Sequence, residues 1–352
     1  MMRRLLSWLV ALTGIGMASC IDPIVIQTGE TEPKLVVSGL ITDQSDESLN
    51  KVSLSWSEPF DGESKVVYNR PVLGASVKIL DNRGTGFQLI EGERGVYFLP
   101  QYMAGEAGQQ YRLYIKLQDG REYESAPELL QPSPQMEQVS YTFKEFTEVV
   151  KNGSGELVEQ TTDGFEVYAT VQDPAGKSNY YRWDATGVFE YFSRAPDVIP
   201  IPATQCWSFV GRVTGRAVTA NDRLFNGNIH KQTVVVLPAD MPTKYLVRVR
   251  QYALTEQAHE FWRLFEQQQS SVGSIFDPPP AKIRGNLYSL SNPGEEVIGY
   301  FGASGISEKG LLINRAVHAP FRSGPYEPPF VAPPRDCRSL FPNSTAMKPA
   351  GF

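Results

Sequence analysis

The sequence predicts a mainly β protein: an N-terminal immunoglobulin-like β-sandwich, a larger β-rich domain with one amphipathic helix, and an extended Pro-rich C-terminal tail. Three observations lead there. Apolar and polar residues alternate at period two in many short runs, as in Val52-Ser53-Leu54-Ser55-Trp56, the pattern of a strand with one buried face. Turn signals of Gly, Asn, Asp and Pro separate these runs by roughly eight to twelve residues, the spacing of a sandwich. Helical periodicity of apolar residues stands out in one stretch only, near 255–270.

The chain opens with a leader, residues 1–19. Arg3 and Arg4 precede a mostly apolar, uncharged run, Leu5 to Met17, and Ala18-Ser19-Cys20 closes it. A short basic start, an apolar core and small residues before the cut form a secretory signal, and the cysteine marks the bacterial lipoprotein version. The run is shorter than the ~20 residues of a spanning helix. Met17 departs from the leucine usual three places before such a cysteine. Cleavage before Cys20 and acylation of its thiol are therefore expected, with residues 20–33 as a lipidated tether.

Residues 34–132 are expected to form the sandwich. Lys34 to Leu40 is a strand rich in β-branched and aliphatic residues, and Ala75, Val77 and Ile79 alternate up to the turn Asp81-Asn82-Arg83-Gly84. Gly95 to Phe98, Tyr111 to Leu117 and Arg121 to Tyr123 continue the series. Asp119-Gly120 between the last two is a two-residue hairpin signal. Pro132-Ser133-Pro134 ends the unit.

Residues 133–319 are expected to form the larger domain. Met136 to Phe146 and Gly164 to Gln172 are strands around the polar stretch Val149 to Thr162, whose Asn152-Gly153-Ser154-Gly155 is expected as a loop tip or a long hairpin. Tyr180 to Trp183, Val234 to Val236 and Tyr245 to Tyr252 follow, the last with Arg248 and Arg250 on its polar side. Thr255 can cap a helix, Glu256 suits its first turn, and Ala258, Phe261, Trp262 and Phe265 share one face. That face is expected to pack on the second sheet. Pro278-Pro279-Pro280 excludes helix and central strand, and Ile298 to Phe301 and Leu311 to Asn314 add strands. The aromatics of residues 320–352, such as Phe321, Tyr326, Phe330 and Phe341, favour an extended segment packed on the body.

The 352 residues carry 33 basic and 39 acidic side chains; loss of Arg3 and Arg4 with the leader takes the net charge from −6 to −8. No basic footprint for nucleic acid appears. After Cys20 only Cys206 and Cys337 remain. An oxidising compartment would permit a disulfide between them, worth ~4–5 kcal/mol on the chain-entropy model, but cysteines far apart need not meet, and Cys206 next to Trp207 could simply be buried. No histidine lies near either thiol, against a metal site. His230, His259 and His318 are isolated, and surface or capping roles are expected of them. Gly302-Ala303-Ser304-Gly305 lacks the last glycine of a nucleophile elbow. Glu295-Glu296 follows the turn Asn292-Pro293-Gly294 and is expected as a solvated loop. No catalytic residues, metal ligands or cofactor site are expected.

One block is more specific: Phe261-Trp262, then Gly273 to Pro280 with Phe276, Asp277, Pro278 and Pro279, then Gly285-Asn286, then Gly299-Tyr300-Phe301. Together with the opening KLVVSGLITD and the closing STAMKPAGF, it resembles the DUF4249 family (domain of unknown function) of Bacteroidota outer-membrane lipoproteins. The resemblance implies an outer-membrane lipid anchor through Cys20, on the periplasmic or the surface face. It also implies a non-enzymatic accessory role beside a TonB-dependent transporter in nutrient capture, with the ligand unknown. The alternative is a structural or adhesive envelope lipoprotein whose sandwich is a spacer.

Overall fold

The computed structural model describes residues 32–58, 70–193, 204–270, 283–319, 331–332, 337–339 and 341–352. Cys20 with its leader lies outside the described residues, as do Gly273, Phe276, Asp277, Pro278 and Pro279.

The chain is mainly β, as the alternation predicts, and builds two sandwiches. In the first, one sheet runs in the order Ile298–Ser304, Leu35–Thr42, Lys51–Trp56, Val96–Phe98 and Ile90–Glu93. The facing sheet runs Leu287–Ser289, Glu122–Ser125, Gln110–Lys116, Ser76–Asp81 and Gly86–Gln88. Alternate residues from each, among them Val37, Leu54 and Tyr97 against Ile79, Leu113 and Tyr123, form one buried core. That interdigitation is what period-two alternation provides when two apolar faces meet.

Two of these strands come from far down the chain. By linear order Ile298 to Phe301 falls in the region 133–319, yet Ile298–Ser304 pairs in parallel with Leu35–Thr42, and Leu287–Ser289 pairs with Glu122–Ser125. The first sandwich is therefore completed by residues that follow the helix. Alternation specifies which face of a strand is buried but not which sheet it joins, so the boundary at residue 132 misses them.

The second sandwich packs a three-stranded sheet, Met136–Lys151, Leu157–Gln172 and Ile229–Pro238, on a sheet centred on Tyr180–Ser193. Lys244–Leu254 and Thr204–Arg212 flank that central strand, and Ile306–Asn314 lies beyond Lys244–Leu254. Phe165, Val167, Trp183, Val247 and Val249 fill the space between the sheets. Of the two readings of the polar stretch, the long hairpin is the one observed: the strands continue to Lys151 and Leu157, leaving residues 152–156 as its tip. There Asn152 Oδ1 accepts from the backbone N–H groups of Ser154 and Glu156.

Cys206 and Cys337 form a disulfide, with Cα atoms 5.6 Å apart. It ties the C-terminal segment to the second core, where Phe341 sits edge-on to Phe189 and Tyr191, and Phe352 packs on Trp207. Phe341 packs as expected, while Phe321, Tyr326 and Phe330 lie outside the described residues.

Ile298–Ser304 runs through Gly305 straight into Ile306–Asn314, so one stretch of backbone belongs to both sandwiches. The Gly305 N–H donates to the Gln131 carbonyl at 2.8 Å, setting the first crossing between sandwiches beside the second. Ser304 is buried in this crossing, so no exposed nucleophile elbow exists here.

Candidate functional site

The helix Glu256–Ser270 lies where the sandwiches meet. Its cap is the expected one: Thr255 Oγ1 accepts from the Ala258 N–H at 3.1 Å. The same hydroxyl donates to Glu128 Oε2 at 2.8 Å, reaching into the first sandwich. Glu128 is 1% exposed and also accepts from Tyr300 Oη and from Asn286 Nδ2. Burial outweighs these donors and holds its carboxyl above the ordinary value; the Tyr300 hydroxyl is pushed up by burial and by Glu128. One carboxylate thus gathers the helix cap and two motif residues at the joint.

The remaining described motif residues hold backbone against backbone. Asn286 clamps both sides of Phe301, its Oδ1 accepting from the Phe301 N–H at 2.9 Å and its Nδ2 donating to the Phe301 carbonyl at 2.8 Å. A Cβ on Gly285 would stand 1.8 Å from the Gly299 carbonyl oxygen, and one on Gly299 would stand 1.8 Å from the Val37 carbonyl oxygen. Gly299 also has φ +105°, which L side chains rarely adopt. Phe301 is fully buried in the first core. Gly285, Asn286, Gly299 and Phe301 are therefore the fasteners that complete the first sandwich.

The helix departs from expectation. Its aromatic face does not simply cover the second sheet. Ala258 packs among Tyr252 and Leu254 of the second sandwich and Leu49 and Tyr300 of the first, and the Phe261 ring is 4.8 Å from that of Tyr300. Phe261, Trp262 and Phe265 line a cleft of about 900 Å³ between the sandwiches. An apolar stripe wider than a single contact can face two bodies at once. That volume lies in the ~300–1,000 Å³ range of small-ligand sites.

The strand wall is cationic. Arg182, Arg212 and Arg250 lie on three adjacent strands and line the cleft with Asp184 and Tyr252. The Arg182 guanidinium lies 4.2 Å from the ring centroids of both Tyr252 and Trp262, a double cation–π contact. Its Nη2 is 3.9 Å from Asp184 Oδ2, and both its Nε and Asp184 Oδ1 are buried without a hydrogen-bond partner. Leaving such a group unmatched costs about 1–3 kcal/mol, more for a charge. Arg250 is paired with Glu308. Arg212 keeps much of its surface open to solvent, and its polar partners are Thr214 Oγ1 at 2.8 Å and the Arg216 carbonyl at 3.4 Å. The cleft wall and the nearby Arg182 charge hold its pKa below the ordinary guanidinium value.

Sequence reasoning missed these arginines and Glu128. The signal was there for Arg250, which alternates with Val249 and Val247, but not for its neighbours Arg182 and Arg212 on other strands. The histidines are isolated, as expected, but packed rather than superficial. His230 stacks on Phe225 at 3.8 Å, His318 on Phe143 at 4.6 Å, and His259 is buried with its pKa lowered by that burial. Glu295 and Glu296 are likewise engaged, with Tyr123 and Lys34 respectively. Among the described residues no cluster of three His, Cys, Asp or Glu side chains suits a metal, and no helix is long and apolar enough to cross a membrane.

Comparison with known proteins adds little on function. No curated protein matches. Among solved structures, a two fibronectin type-III domain segment from chicken tenascin is similar at 16% identity over 63% of this chain and 91% of that one, with a TM-score of 0.16. A family model described as "Domain of unknown function (DUF4249)" matches residues 21–310.

Proposed function

We infer, from the premise that this chain belongs to the DUF4249 family, that it is a non-enzymatic envelope lipoprotein that captures a ligand for a TonB-dependent outer-membrane transporter. The observation that carries this reading is the cleft between the sandwiches. Its helix wall presents the motif pair Phe261-Trp262, and its polar wall holds three guanidiniums, of which Arg250 is paired with Glu308. Among the described residues it brings together no nucleophile with a base and no pair of free carboxylates, so binding suits it better than catalysis. The leader ending at Cys20 supports a lipid tether, and the transporter partnership rests on the family resemblance.

Detergent-solubilised outer membrane tests the partnership. A tagged chain is expected to carry a transporter with it under gentle conditions, and its recovery alone would overturn the reading. If the alternative holds and the chain is an adhesive spacer, deleting it leaves nutrient uptake intact and alters adhesion. Mass spectrometry of native protein is expected to show an acylated Cys20 at the N-terminus.

A further inference from the structure

We propose that the cleft between the sandwiches takes an organic carboxylate with an apolar or aromatic body, the carboxylate meeting Arg212 and Arg182 and the body lying against Phe261 and Trp262. The inference rests on reading the cleft as a binding site, and it does not depend on the transporter partnership.

Arg182 is nine-tenths buried, yet its Nε has no partner and its nearest acid stands 3.9 Å away, beyond hydrogen-bond reach. Its guanidinium is in contact with the rings of both Tyr252 and Trp262, which restrain it from turning freely. Arg212, which lines the same cleft as Arg182, has no carboxylate within salt-bridge distance among the described residues. Two neighbouring guanidiniums with one weakly engaged acid leave an excess positive charge in a partly desolvated space, where an anion would be strongly held. The guanidinium fork matches a carboxylate in two-point geometry. Asp184 and Glu308 also flank the site, and they would repel the second charge of a phosphate monoester. Beside the arginines stands the aromatic face of the helix, half-buried and facing the same space. Guanidiniums and aromatic rings side by side in one cleft describe the ligand class.

Isothermal titration of the full chain with N-acetyl-leucyl-phenylalanine, as free acid and as C-terminal amide, tests this. The acid is expected to bind at least tenfold more tightly than the amide. Arg212→Met, at an exposed position, is expected to lower acid binding to the amide level while the thermal midpoint shows the variant still folded. Trp262→Ala is expected to weaken both probes. Equal binding of acid and amide, no heat from either at millimolar concentration, or an acid preference that survives Arg212→Met would each overturn the proposal. Displacement of the acid by inorganic phosphate at similar concentration would overturn the carboxylate assignment. A transporter that co-purifies while these titrations fail would sink this inference alone; titrations that succeed on a chain recovered without a transporter would sink only the partnership.

Discussion

Gly299 shows how much a single position can carry. It sits at φ +105° with the Val37 carbonyl where a Cβ would be, so Gly299→Ala adds backbone strain and a clash near the start of the parallel strand pair. The expected cost is about 2–4 kcal/mol, from the steric and conformational terms together. Urea unfolding would measure it, and an unchanged midpoint would remove this account of the motif glycine. Glu128 adds a dependence on pH. A carboxyl whose pKa is higher folded than unfolded binds its proton better when folded. Its contribution is therefore full below the ordinary value of 4.5 and is lost as pH rises through the folded value. Glu128→Gln should flatten the fall in stability with pH above 4.5, and parallel slopes for the two proteins in denaturation at stepped pH would contradict it. Neither effect is legible in the sequence. A glycine in a motif does not say which carbonyl it admits, and Glu128 reads as one more surface acid.

At the scale of the element, the helix is the best-read part of the chain. Thr255, Glu256 and the spacing of Ala258, Phe261, Trp262 and Phe265 place it at 255–270, and it runs from Glu256 to Ser270. Capping and amphipathic spacing are local properties, so one stretch of sequence contains them. Thr255→Ala removes both the cap and the hydrogen bond to Glu128. A cost of about 1–2 kcal/mol is expected, with faster amide exchange in the first helical turn; exchange unchanged at Ala258 would argue that the cap is idle. What the helix faces is a different matter. Its aromatics were expected against one sheet, and they line the space between two, because the apolar stripe records that a face leaves water without recording what it meets.

For the molecule as a whole, the decisive feature is the return of Leu287–Ser289 and Ile298–Ser304 to the first sandwich. Residues 32–132 made alone lack both strands and leave Leu35–Thr42 as an open edge. Such a fragment is expected to show poor amide dispersion in NMR spectra and to gain order when a peptide of residues 283–305 is added. A well-dispersed spectrum of the fragment by itself would contradict the shared-strand architecture. The same return creates the joint: Tyr300 and Ser304 from the crossing strand and Arg182 and Arg250 from the second sheet come to line one cleft. By itself the sequence determined the β class, most strands and the helix with its cap, since each rests on period, turn chemistry or composition over a few neighbours; the motif residues were legible through the family resemblance. The tertiary structure alone decided which distant strands pair, that Cys206 meets Cys337, and that three arginines from three strands face one aromatic helix. Those contacts join residues tens to hundreds of positions apart, and no local pattern encodes which of many compatible partners a buried face will find.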